Sequence, residues 1–543
     1  MSRGEPPLLV RGEVALEAVG GRLVTAEAMA IGGERVIAAG RWSEIRELSR
    51  PGSRTIDARG RAVVPGLHDF HAHLVGMARA RREAALDGAR DMAELVAQVR
   101  TAAAALPKGG WMFGRGWSEA SLDQRRLDLL EAAVADRPAF LASHDGHSAW
   151  ASAAALAEAG VHAGTPDPAG GRLERGAGGG PNGVLRERAI ELVGRVLQPL
   201  GGEELLAALS ETAAELAAYG ITGLTDAGDD DAAGGLGRYS ALGDSFSTLA
   251  EARHRLDTRL RITLDLPMAA LTAATEGGLR TGAPLPGSRT MRIGWAKAFA
   301  DGALGSRTAA LFDPDTCTGG TGILRLDDPA LDAFLAECRA AGVAAAIHAI
   351  GDRAVAVVLD AQSRSAPRSA GVPPDRIEHA QLVRPADRAR FAAMDLTASM
   401  QPIHCAADRD DAEACWADRL AHAYPWRSLL DAKARLAFGS DAPIETANPW
   451  AGIVAAVHRR LPGDSREAWQ PAQAITAAEA VEAYTRAPAL AIGRGDEGHL
   501  HPGAVADLAV LNIDLAGLLA AEDDLVAVRS DLTLVAGGEV HRS

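Results

Sequence analysis

A chain of 543 residues exceeds one average domain, and a prior of roughly 150 residues per domain gives two to four units, although barrels run longer as one. With 47% hydrophobic and 23% charged residues it has the composition of a folded globular protein, which excludes wholesale disorder. A formal charge of −15 repels phosphate backbones and anionic membranes, so no nucleic-acid or membrane partner is expected, and a small neutral or cationic molecule fits better.

The N-terminal stretch MSRGEPPLLVRGEVALEAVGG has no basic segment followed by an apolar core, and no apolar run of 18 residues follows, so a cytoplasmic location is expected. Short apolar segments at 8–10, 23–24, 29–31 and 36–39 open the chain, and similar ones at 508–511 and 532–536 close it. They predict a small β-sandwich domain built from both termini, residues 1–61 and 496–543. Between them, eight candidate strands lie at 62–65, 220–225, 260–266, 291–299, 343–348, 376–379, 396–401 and 436–439, most followed by a helical pattern. Alternating strands and helices favour a parallel sheet and eight repeats favour closure, so residues 62–495 predict an α/β (β/α)8 TIM-like barrel. In DPALDAFLAECRAAG, Leu331, Phe334, Leu335 and Cys338 fall on one face of a helix that should cover the barrel.

The stretch 74–219 is too long for one crossover, so an inserted α/β subdomain is expected after strand 1, over about 75–215. Its glycine-rich segment 176–183 reads as a mobile loop, with or without a bearing on the site. Cys317, Cys338, Cys405 and Cys415 contain no CxxC pair and are few for this length, so four buried thiols are expected rather than a disulfide framework.

His71 and His73 in VVPGLHDFHAHL form an HxH pair at a strand end, where period-two alternation puts both imidazoles on one face, able to hold a divalent ion. His68, three residues earlier, is a loop residue or a support behind the ligands. The same logic recurs where later apolar strands end: AAAIHAIGD places His348, DRIEHAQ places His379 and LAFGSDAP places Asp441. Active sites of such barrels sit at that face. Lys297 in MRIGWAKAFADG ends the fourth strand, and only Lys108 and Lys433 are also lysine among 56 basic residues. A buried lysine sheds its proton readily whereas guanidinium does not, so chemistry that needs a neutral amine retains lysine.

The order HAH, lysine, histidine, histidine and aspartate resembles the amidohydrolase superfamily. The segments PGLHDFHAHL, KAFADGALGSRTAAL, IHAIGDRAV, RIEHAQ, SMQPIH and GSDAPIETANPW together resemble its YtcJ-like branch, the amidohydrolase-3 group that includes N-substituted formamide deformylases. GRGW, SHDGHSAW and GVLRE extend the likeness into the insert; one departure is Ser152, where that group usually shows asparagine shortly after the tryptophan. The resemblance implies two divalent ions, zinc by its implication, bridged by a carbamylated Lys297, with His71, His73 and Asp441 on one and His348 and His379 on the other. Imidazole and carboxylate donors also suit iron, manganese or nickel. A homodimer is expected from the family alone.

Bound metal supplies hydroxide at neutral pH and polarises a carbonyl. Asp441 then moves a proton from the nucleophile to the leaving amine, and His404, after SMQPI, either donates to the oxyanion or supports the site from behind. In the insert, Trp117, His144, Asp145 and His147 are candidate substrate contacts, a hydrogen-bonded loop cluster being the alternative for the last three. Arg307 either holds a substrate carboxylate or makes a structural ion pair, and Asp226 either braces a ligand histidine or caps a turn. No GxxxxGK[ST], HExxH, GxSxG or SxxK motif is present, so nucleotide hydrolysis, helix-borne zinc protease chemistry and a serine nucleophile lose support. The expected activity is hydrolysis of a C–N bond in a small amide, N-formyl or N-acyl amine. Its rivals are a lactone or ester hydrolase or a ring deaminase on the same metals, and a silent metal-binding scaffold.

Overall fold

Eight apolar runs pair edge to edge as a parallel barrel in a computed structural model, which describes residues 6–106, 109–119, 121–197, 201–228, 242–257 and 259–543. In chain order the strands are β1 (Leu67–Ala72), β2 (Ile221–Asp226), β3 (Arg261–Pro267), β4 (Met291–Phe299), β5 (Ala345–Ala349), β6 (Arg376–His379), β7 (Thr397–Met400) and β8 (Arg435–Phe438). Each runs parallel to the next. The ring is drawn together at its C-terminal end, where Asp441 N donates to His71 O at 2.7 Å and His73 N donates to Ala442 O at 2.7 Å. Gly439 permits this approach, because a Cβ there would stand 2.3 Å from the His71 nitrogen.

Seven of the eight strands lie within two residues of their expected places. The first does not: residues 62–65 end the long strand Arg54–Pro65, which pairs with Leu508–Leu511 in another sheet. Only Gly66 separates that strand from β1, and a Cβ there would fall 2.0 Å from Thr222 Oγ1. Both termini do come together, but as one continuous seven-stranded sheet rather than two facing ones. Register shifts along Leu8–Val19 accompany its bending around a core that includes Val10, Met29, Val63, Leu508 and Leu532.

The insert is narrower than expected. Its own six-stranded sheet spans Ala84–Ala85 to Pro181–Glu187 and encloses a separate core around Leu95, Met112, Leu141 and Trp150. The flanking helices Leu74–Ala80 and Gly202–Ala218 belong to the barrel instead, since Leu74, Val75, Leu209 and Leu216 enter its core. Residues 176–180 form the tight end of the hairpin joining Gly171–Arg175 to Pro181–Glu187, with Gly176 N donating to Gly180 O at 2.9 Å, and line no part of the cavity described below. The helix Asp328–Ala341 buries Leu331, Phe334, Leu335 and Cys338 as its periodicity requires, and Asp327 caps it by accepting from Ala330 N at 3.1 Å.

Four thiols are not what the fold contains. Cys317 and Cys415, 98 residues apart, form a disulfide between the loop after β4 and the segment after β7, while Cys338 and Cys405 are free and buried. Sequence spacing is silent on this pair because only barrel closure brings those loops together. Among the described residues no helix is long and apolar enough to cross a membrane. Thiol titration of the denatured, unreduced protein should therefore return two reactive thiols per chain and four after reduction; four before reduction would contradict the bridge.

Candidate active site

At the C-terminal mouth of the barrel, His71, His73, Lys297, His348, His379 and Asp441 line one cavity of about 450 Å³. Ligand atoms of His71, His379 and Asp441 lie within 4.8 Å of one another. Asp441 Oδ1 stands 3.3 Å from His71 Nε2 and 3.2 Å from His73 Nε2, and the His348 and His379 rings are 4.6 Å apart between centroids. The strand ends achieve this by leaving extended geometry: His379, Ala380 and Asp441 have φ of 68°, 43° and 59°, a left-handed region that non-glycine residues rarely occupy and that gathers at functional sites.

A ligand imidazole works when its second nitrogen is held. Three are held here. His71 Nδ1 meets Glu378 Oε2 at 2.5 Å, His379 Nδ1 meets Gln401 Oε1 at 2.8 Å, and His348 Nε2 meets the Gly302 carbonyl at 3.1 Å. Those bonds leave Nε2 of His71, Nε2 of His379 and Nδ1 of His348 as the nitrogens that an ion would use. Glu378 is itself held: Arg376 contacts it and also Asp265, and all three side chains are fully buried. The Arg376 guanidinium lies 4.8 Å from the Phe70 ring and 4.3 Å from that of Trp295. Burial works against the Glu378 carboxylate, yet Arg376 and His71 outweigh it and keep its pKa low. On the other flank Asp69 accepts from Ser440 N at 2.9 Å and Ser440 Oγ at 2.6 Å, seating the residue before Asp441.

In the metal-free chain burial pushes the Lys297 ammonium toward its neutral amine and drives His348 and His379 well below the usual imidazole range. Burial also opposes ionisation of Asp441, but His71 and His404 outweigh it and hold the carboxylate ionised. This set of neutral imidazoles, a carboxylate and a buried amine is the donor chemistry that a divalent ion requires, so the residues fit the metal expected from the sequence.

His404 meets Asp441 Oδ2 at 3.2 Å, which places it behind the carboxylate. Asp145 and His147 line the cavity from the insert side. His144 sits at its edge, its Nε2 3.2 Å from Glu445 Oε1 and its Nδ1 3.4 Å from Asp87 Oδ1. Two other candidates are not brought in. Trp117 is buried in the insert with its Nε1 donating to Leu141 O at 2.8 Å, and Arg307 pairs with Asp411 at 2.6 Å, the structural ion pair; neither lines the cavity. Asp226 accepts from Leu74 N at 2.8 Å and Ser245 Oγ at 2.6 Å, which is the capping role, and His68 meets Thr225 Oγ1 at 3.0 Å. Phe299, Arg325 and Glu187 line the cavity without having been singled out in the sequence.

The model of the amidohydrolase family matches residues 54–541. The chain belongs to the amidohydrolase family. Within it the chain falls in the YtcJ-like branch: it is 28% identical to the putative amidohydrolase YtcJ of Bacillus subtilis over 88% of each chain, and 26% identical to N-substituted formamide deformylase of Arthrobacter pascens over 90% of each. An uncharacterized metal-dependent hydrolase from Pyrococcus horikoshii superposes with a TM-score of 0.73 at 25% identity, covering 95% of this chain and 99% of that one.

Two predictions follow from the holding interactions. Glu378→Gln should weaken divalent-metal affinity about 10–100-fold, read by metal content after dialysis against a graded chelator, because it removes the charge that holds His71. At the insert contact, the hydrogen bonds that His144 donates to Asp87 and Glu445 lift its pKa to about 10, above its ordinary 6.5. The charged latch therefore stabilises the fold fully below about pH 6.5 and is lost as pH rises through about 10. The melting-temperature advantage of the native chain over His144→Gln should shrink across that window; a constant difference would disprove the latch.

Proposed function

We propose that this amidohydrolase cleaves a C–N bond of a small amide, N-formyl or N-acyl amine, with Asp441 as proton carrier. The observation that carries the reading is the convergence of four imidazoles, Lys297 and Asp441 on one cavity whose volume suits a small molecule. The name of the formamide deformylase relative supports C–N rather than C–O cleavage. His71, His73 and Asp441 would hold one divalent ion and His348 and His379 a second, with a carbamylated Lys297 between them and zinc as the metal. When bound, the ions supply Lewis-acid activation of water and of the substrate carbonyl.

The chain's own residues do the rest. Asp441 takes a proton from the attacking water as its oxygen bonds to the carbonyl carbon, and returns it to the nitrogen as the C–N bond breaks, so a neutral amine leaves. His404, bonded to Asp441 Oδ2, orients the carboxylate so that Oδ1 stays toward the ligand histidines. His147 and Asp145 wall the cavity on the insert side, where the acyl group or the amine is held. The Cys317–Cys415 disulfide tells against the cytoplasmic location expected from the sequence, because reducing compartments keep thiols reduced.

Asp441→Asn should lower kcat by about 10²–10⁴-fold while divalent metal is retained. The assay is a panel of formamides, N-acyl amines, esters and lactones run alongside metal analysis. Turnover of esters or lactones alone would shift the assignment to C–O bonds, and a metal-replete, active Asp441→Asn protein would remove the proton-carrier role.

A further inference from the structure

Glu187 has the marks of a residue held in place for a purpose. It ends the insert strand Pro181–Glu187 with φ 50° and ψ −130°, a backbone region of tight turns that glycine ordinarily supplies. Its side chain is 1% exposed yet carries a carboxylate to the cavity wall. Each oxygen is engaged. Oε1 accepts from Thr308 Oγ1 at 2.5 Å, and Oε2 meets His147 Nδ1 at 3.1 Å with Arg325 at 3.8 Å. The Glu187 amide closes the arrangement by donating to the His147 carbonyl at 2.9 Å.

These partners belong to two bodies. His147 is an insert residue, whereas Thr308 lies in the barrel loop after β4. That loop also contains Gly302, whose carbonyl orients His348. The carboxylate lies so close to Gly302 that a Cβ there would come within 2.3 Å of Glu187 Oε1 and 2.1 Å of Thr308 Oγ1. Thr308 Oγ1 in turn accepts from Ala303 N at 3.0 Å, which folds the loop back on itself. The His147 ring stands 5.3 Å from that of His348, and with Nδ1 committed to Glu187 its Nε2 is the nitrogen available to a ligand.

We propose that Glu187 is a positioning residue: it fixes the His147 ring so that Nε2 meets the bound substrate, and it clamps the insert to the 302–308 loop on which His348 is oriented. The insert thereby becomes a wall of the reaction site rather than a cover for it. The strained backbone has a physical reason on this view, since an extended residue at 187 would carry its carboxylate along the strand and away from Thr308. The proposal rests on the hydrolytic reading of the cavity, and its test separates the two.

The test is a double-mutant cycle between Glu187→Gln and His147→Ala, read as kcat and KM on whichever substrate of the panel is turned over, with metal content and melting temperature alongside. Glu187→Gln preserves shape but presents an amide where His147 needs a carboxylate. It is expected to lower kcat/KM about 10–100-fold, with little further loss when added to His147→Ala. Losses that multiply independently, or a lower melting temperature with kcat and KM unchanged, would overturn the proposal. Should Glu187→Gln not fold, Thr308→Val, which leaves every charge in place, substitutes for it with the same reading. A crystal structure of the variant needs no substrate: a displaced His147 ring supports the proposal and an unmoved one overturns it, even if the native chain hydrolyses nothing in the panel and the hydrolase reading itself falls.

Discussion

A single guanidinium in the barrel floor organises the chemistry above it. Arg376 is fully buried, faces the aromatic rings of Phe70 and Trp295, and is neutralised by Asp265 on one side and Glu378 on the other. Taking three charged groups out of water costs several kcal/mol for each, and removing one partner of such a set costs about 3–5 kcal/mol because a buried charge is left behind. Such a chain is a poor source of stability and a good source of direction. It runs from β3 through β6 to His71 on β1, so it fixes the His71 imidazole relative to the far side of the barrel and favours a proton on its Nδ1.

The opposite rim is defined differently. β8 reaches β1 through the Asp441 amide, the bare Cα of Gly439 and the Asp69–Ser440 hydrogen bonds. Asp441 thus sits on the seam of the barrel, touching His71, His73 and His404 at once. On this seam Asp441 itself is left-handed, with φ of 59°, a local strain that the surrounding hydrogen bonds must hold. The insert completes the mouth through the hairpin carrying Asp145 and His147. Ser306 on the barrel loop hydrogen-bonds Asp145, and His144 is fastened to Glu445, four positions after Asp441. A site shared between two bodies lets one barrel face different substrates by changing the insert alone.

Much of this was legible beforehand because strand ends are short and local. Metal-ligand residue types at the ends of four apolar runs, and a lysine in an arginine-rich chain, needed no tertiary information to be noticed. Glu378 escaped for a definite reason: strict period-two alternation puts it on the face opposite His379, whereas the positive φ of His379 turns both residues inward. The first barrel strand was misplaced because Ala62–Pro65 is the apolar end of the preceding strand, whereas β1 itself, LHDFHA, interleaves polar residues with apolar ones. Trp117 and Arg307 were drawn toward the site by motif neighbourhood, but a buried indole and a paired guanidinium have other tasks here.

By itself the amino-acid order determined the class of fold, the barrel repeat, the presence of an insert and the residue types able to hold an ion, because periodicity and side-chain chemistry are local properties. Only the tertiary structure decided which second nitrogen each imidazole commits, which loops the Cys317–Cys415 bridge joins, and that Glu187 reaches His147 and Thr308 together. Those choices depend on contacts between residues tens to hundreds of positions apart, and no local pattern encodes a distance that exists only after the barrel closes.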